Sequence, residues 1–145
     1  SGSFLDEREV PAETRRAIAE TFADRDRVVV ESLPDFVDRE KLSEFTDRGL
    51  TTDVAIGLET ASDRVRHDAI NKYFDFTDFE EACAEARAAG TRRAPPDDQT
   101  ESAGETAGAG VKAYLLMKPP FLAEPDAVAD MKRSIRKCAL RRDPG

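Results

Sequence analysis

Three short, largely apolar runs constrain this chain more than any other feature: Val28-Val29-Val30, Val54-Ala55-Ile56-Gly57-Leu58 and Val111 to Met117, the last broken only by Lys112. Each is short and rich in β-branched or aliphatic residues, which marks a strand buried in a sheet. Helical signals lie between them. Asp38 can cap a helix to about Arg48 that Gly49 stops, Ser62 or Asp63 one to about Ile70, and Thr77 one to Ala89 that Gly90 stops. Pro11 opens an earlier helix and Pro125 a last one. The order is α, β-α, β-α-α, β-α. Continuous apolar strands that alternate with helices specify a parallel sheet with helices packed on it. Three strands, with at most a stub at residues 1–5, are too few to close a barrel. The pattern is therefore expected to be a segment of a larger α/β barrel or open sheet.

Thr91 to Gly110 departs from this pattern. It contains Pro, Gly, Asp, Thr and Ala and no bulky apolar residue, so a loop or low-complexity insertion is expected there. One domain over residues 1–140, interrupted at 91–110 and followed by a tail at 141–145, is the expected organisation.

Composition excludes several classes. No apolar run reaches the ~18 residues of a membrane-spanning helix. The first residues, SGSFLDEREV, hold no apolar signal-peptide core, so a cytoplasmic location is expected. Two cysteines, Cys83 and Cys138, cannot form a disulfide framework or a self-contained cysteine-rich metal site; both read as small buried residues. The 30 acidic residues outnumber the 22 Lys and Arg, for a net charge of −8, and only 6 of those cations are Lys. Such acidity resembles proteins of salt-adapted cytoplasms, where self-repulsion is screened. It argues against nucleic-acid binding through bulk charge, an argument that weakens at very high salt.

In parallel α/β folds the chemistry sits at the carboxyl ends of strands. Those ends carry Glu31, Glu59 and Lys118, which are expected to converge on one rim. Other candidates are weaker. His67 stands between Arg66 and Asp68 and reads as solvent-facing. Gly104, Gly108 and Gly110 precede a strand, not a helix, and lack phosphate-loop spacing. Glu31 and Glu59 as a glycosidase pair have no other support.

The strand ends VVVESLPDF, VAIGLETASDRVR with NKYF, and KAYLLMKPPFL resemble successive strand ends of the radical S-adenosylmethionine (SAM) superfamily. The resemblance is nearest to its archaeal archaeosine-biosynthesis branch, related to the elongator-type and oxygen-independent coproporphyrinogen oxidase branches. It covers roughly residues 1–89 and 111–138. It implies a segment of a parallel partial (β/α)6 TIM-like barrel, about half of it present. The cofactors it implies for the complete protein are SAM and a [4Fe–4S] cluster. The reaction would be radical chemistry on a lysine-adducted 7-deazaguanine in tRNA, yielding archaeosine, with tRNA or a tRNA-modification enzyme as partner and no membrane.

By position, the resemblance assigns SAM binding to Ser1, Gly2, Ser3, Glu31, Glu59, Lys72, Tyr114 and Lys118. Ser1 to Ser3 would receive the methionine amino group, Glu31 would line the cavity, and Glu59 would accept from the ribose. Lys72 would pair with the SAM carboxylate, with Tyr114 and Lys118 on the strand facing the cofactor. The superfamily's CxxxCxxC motif does not occur in these 145 residues, so no metal ligand and no catalytic residue is assigned and this stretch alone is expected to be inactive. The alternative is a non-catalytic acidic α/β domain acting as an interaction module.

Overall fold

A computed structural model describes residues 2–90 and 107–140. Three parallel strands form one sheet in the order β1-β2-β3: β1 is Arg27–Glu31, β2 Thr51–Glu59 and β3 Ala109–Leu115. All three apolar runs are strands. The central run extends three residues further towards its N-terminus than the apolar residues alone mark, because Thr51, Thr52 and Asp53 continue the ladder opposite β1 and β3. Helix α1 spans Ala12–Thr21, α2 Arg39–Thr46, α3 Asp63–Asp68, α4 Phe76–Ala89 and α5 Glu124–Ala139.

The caps explain the helix starts. Asp38 caps α2 by accepting from the Glu40 and Lys41 amides at 2.7 and 3.2 Å, and Ser62 Oγ accepts from the Val65 amide to cap α3. Helix α4 starts two residues earlier than Thr77 suggested. Asp75 is its N-cap, and the Asp75 amide donates to Asp78 Oδ2 at 2.6 Å, three residues on.

Helices α2 and α4 pack on one face of the sheet. Val30, Val54, Ile56 and Leu58 point into that layer and meet Leu42, Phe74, Phe76, Phe79 and Ala86 in one buried cluster. A second, smaller cluster of Ala19, Phe45 and Leu50 seats α1. The opposite sheet face carries no helix among the described residues.

The barrel expectation is corrected by the sheet itself. The described residues form a small open α/β domain with two free strand edges, β1 and β3, and not a part of a TIM-like barrel. Alternating apolar runs encode parallel pairing and the covered face. Closure depends on strand number, tilt and stagger, which hydropathy does not carry. No stub strand forms within residues 2–5; that segment lies against the end of β1, where the Phe4 amide donates to the Glu31 carbonyl at 2.8 Å. The expected insertion and tail fall mostly outside the described residues, except that Ala109 and Gly110 belong to β3.

Candidate functional site

Side chains alternate across a strand, so the residues between the core positions face the uncovered side. On that face β1 presents Glu31, β2 presents Ala55 and Gly57, and β3 presents Tyr114, which pairs in register with Gly57. The register slips by one residue between Gly57 and Glu59, where β2 holds one more residue than β3. Bulges of this kind re-aim a side chain at the end of a strand. Here the residue re-aimed is Glu59, whose φ of 65° lies in the left-handed region that a non-glycine residue seldom occupies.

Glu59 meets Lys72. The turn after α3 passes through Asn71, also left-handed at φ 63°, and brings Lys72 back over the strand end. Lys72 Nζ donates to Glu59 Oε1 at 2.7 Å and to the Gly57 carbonyl at 2.6 Å. A Cβ on residue 57 would lie 2.6 Å from Nζ and 2.8 Å from Oε1, so the absence of a side chain at Gly57 is what lets the pair cross the strand. Among the described residues nothing donates to Glu59 Oε2, and the exposed Glu31 stands across the cleft.

The cleft over these groups measures about 190 Å³. Of the eight residues expected at the site, it brings together Gly2, Glu31, Glu59, Lys72 and Tyr114. Ser1 lies outside the described residues. Ser3 is buried beneath the cleft and already engaged: its amide donates to Glu9 Oε2 at 2.8 Å, and its hydroxyl accepts from the Leu33 amide at 3.0 Å. Lys118 does not join the rim. Strand β3 ends at Leu115, and Lys118 turns out to solvent within 3.8 Å of Glu124.

Two residues that sequence reasoning passed over matter here. Glu9 accepts from the Ser3 amide and lies against Gly2, itself one of the cleft residues. Arg66 is fully buried beneath the rim. Its place in the DRVR segment was visible, but charge on a helix reads as a solvated face unless burial is known.

Two other features compete for attention. At the other end of the open face, Asp53 Oδ2 accepts from Arg27 at 2.5 Å and Lys112 at 3.0 Å. Burial would raise the Asp53 carboxyl, but the hydrogen bonds from Lys112 and Arg27 outweigh it and hold it below the usual carboxylate range. These ties connect β2 to both neighbours and leave Asp53 without free chemistry. A larger cleft of about 650 Å³ lies between α4, β3 and α5, lined by Phe79, Cys83, Ile135 and Cys138. Burial pushes the Cys83 thiol up to about 11 and raises Cys138 as well, so both stay protonated at neutral pH. No cluster of three or more His, Cys, Asp or Glu residues suited to a metal ion occurs among the described residues.

The fold and rim thus define a parallel α/β domain whose candidate site joins two carboxylates and one ammonium at its strand ends. The chain is similar to a protein of Methanosarcina acetivorans named archaeosine synthase subunit beta, 38% identical over 144 residues. It is also similar to the Thermococcus kodakarensis protein of the same name, 42% identical over 142 residues. A third relative, an uncharacterized protein of Methanocaldococcus jannaschii, is 34% identical over 145 residues. These matches take in 94–96% of this chain but only 34–38% of the relatives, so the chain spans about a third of their length. No protein-family model matches it. No solved structure matches it either. No helix among the described residues is long and apolar enough to cross a membrane.

Proposed function

We propose that this chain is a SAM-binding portion of a protein that takes part in forming archaeosine in tRNA. The names of the two relatives support the pathway and, through the word subunit, a partner protein. The observation that carries the ligand is the convergence of Glu31, Glu59 and Lys72 over Gly57, with Tyr114 beside them. Two carboxylates against one ammonium leave the cleft with one net negative charge. SAM, with a sulfonium, an ammonium and a carboxylate, is a net monocation and complements it.

The donor set fits the rest of the ligand. Glu59 Oε2 accepts from a ribose hydroxyl. Lys72, already oriented by Gly57 and Glu59, has a third proton for the methionine carboxylate. The carboxylate of Glu31 suits the ammonium, and the half-exposed Tyr114 ring offers an apolar face to the adenine. When bound, SAM would supply radical chemistry beside an iron–sulfur cluster. The cysteines of this chain do not fit such a cluster: Cys83 and Cys138 lie in the cleft on the helix-covered side with protonated thiols.

The test is equilibrium binding of SAM to the full-length protein. Glu59→Gln removes a charged acceptor, so affinity is expected to fall by about tenfold or more. Exposed Glu13 on α1 supplies the control Glu13→Gln. Glu44 does not serve, because its carboxylate holds the buried Arg15 at 2.8 Å. Equal affinities for the two variants would overturn the assignment.

A further inference from the structure

The rim depends on a side chain that never reaches the cleft. Arg66 lies on α3 with no solvent exposure, yet its guanidinium is bound on several sides. Nε donates to the Leu58 carbonyl at 3.1 Å and Nη2 to the Thr60 carbonyl at 2.5 Å. Those two residues flank Glu59. Nη1 donates to the Phe74 carbonyl at 3.0 Å and to Asp63 Oδ1 at 2.6 Å, and the guanidinium carbon sits 5.0 Å from the centre of the Phe74 ring. The Arg66 carbonyl in turn accepts from the Lys72 amide at 3.1 Å.

One residue thus holds the backbone on both sides of Glu59 and on both sides of the turn that delivers Lys72. Both segments contain a left-handed non-glycine residue, Glu59 and Asn71, a conformation that the surrounding hydrogen bonds hold in place. A planar guanidinium can serve three carbonyls and a carboxylate at once, whereas an ammonium acts as a point charge. We infer that Arg66 is a positioning residue that presets the Glu59–Lys72 pair for a ligand combining a hydroxyl donor with a carboxylate. The ligand class rests on the SAM reading above; the positioning itself does not.

The experiment reads Lys72 without any ligand. In the full-length protein, acylation of lysines by a water-soluble amine reagent is followed by peptide mass spectrometry, with exposed Lys132 as internal reference. Lys72 is held by two acceptors, so releasing the pair is expected to raise its relative rate about threefold or more. Glu59→Gln should give this rise directly. Arg66→Lys should give it with the circular dichroism of the wild type, and the double variant should show no further rise. A merely structural role would lower stability and leave the Lys72 rate alone.

If Arg66→Lys does not fold, Asp63→Asn decides. Asp63 is about half exposed, so that variant loosens the Arg66 grip without opening the core. An unchanged Lys72 rate in a folded Arg66→Lys, or in Asp63→Asn when the first does not fold, overturns the inference. A wild-type protein that fails to take SAM overturns the proposed function instead, and the lysine rates still decide this point.

Discussion

The two faces of the sheet are made from the same three strands and obey different rules. On the helix-covered face, Val30, Val54, Ile56 and Leu58 are buried in a contiguous apolar layer. On the open face, Arg27, Val29 and Glu31 of β1 are exposed, as are Lys112 and Tyr114 of β3, while Ala55 and Gly57 form a floor between them. The covered face gains stability from volume. The open face gains its charged pair from missing volume, because Lys72 and Glu59 meet across β2 only where residue 57 has no Cβ.

The largest expected contrast is in stability. Ile56→Ala removes three carbons from a fully buried position and is expected to cost about 2–5 kcal/mol. Val29→Ala, at a position 47% exposed on the other face, is expected to stay within about 0.5 kcal/mol. Urea denaturation of both variants measures the difference. Comparable losses would mean that the open face is covered too, by a part of the protein outside the described residues.

That asymmetry was only half legible in the sequence. The β-branched runs located all three strands, because continuous apolar residues have few other homes. They concealed the open face. Ala55 and Gly57 count as apolar in any hydropathy reading, so the central run looked buried on both sides. The partial barrel came from the resemblance, whereas the apolar runs alone left an open sheet equally available, since alternation cannot report tilt or free edges. At the rim, Glu31 and Glu59 were readable as charges at strand ends. Lys72 came through the resemblance alone, because it lies thirteen positions along the chain from its partner, across a turn and a helix. Lys118 was misplaced because the apolar run outlasts the ladder: Leu116 and Met117 continue the pattern but lie beyond β3, the latter 81% exposed. Arg66 was hidden because a buried guanidinium is chosen for its carbonyl partners, which only the folded turn assembles.

The second contrast separates ligand affinity from folding on the open face. In Gly57→Ala the new methyl group meets only the flexible ends of Lys72 and Glu59, so the fold should lose less than about 1 kcal/mol. The pair itself must part. SAM affinity is expected to fall about tenfold, equivalent to roughly 1.4 kcal/mol. Calorimetric titration alongside thermal denaturation checks both. Unchanged affinity would detach the Glu59–Lys72 contact from ligand binding.

A third, smaller contrast is in pH dependence. The covered face holds few groups that titrate, whereas Asp53 on the open face has its carboxyl lowered from 3.8. The stability this contributes is complete above that ordinary value and is lost as pH falls below it, through the lowered value of the folded state. With cations 56% and 46% exposed, the two ion pairs are each worth only about 0–1 kcal/mol. Asp53→Asn should therefore be slightly less stable at neutral pH and lose less between pH 5 and about 3 than the wild type does. Asp6 and Asp63, whose carboxyls are also lowered, keep part of the acid sensitivity in both proteins. Denaturation midpoints across this range measure the difference, and parallel curves would remove Asp53 from the acid response.

The smallest effect runs in the opposite direction and concerns the turn that follows β3. Phe121 adopts φ 64°, and its ring is 93% exposed. It follows Pro119 and Pro120 in a turn closed by the Leu122 amide on the Pro119 carbonyl at 3.4 Å. A turn with proline second and a left-handed third residue favours glycine at that third position. A bulky side chain there costs roughly 1–2 kcal/mol. Glycine removes that cost but gives about 0.5–1 kcal/mol back through the greater freedom of the unfolded chain. Phe121→Gly is therefore expected to raise stability by up to about 1 kcal/mol, in contrast with every substitution on the covered face. A rise in urea midpoint would show that the ring sits in this turn at a cost to the fold. A fall would show that it packs against the protein beyond the described residues, covering the cleft that Phe121 lines with Arg64, Val65 and Arg133.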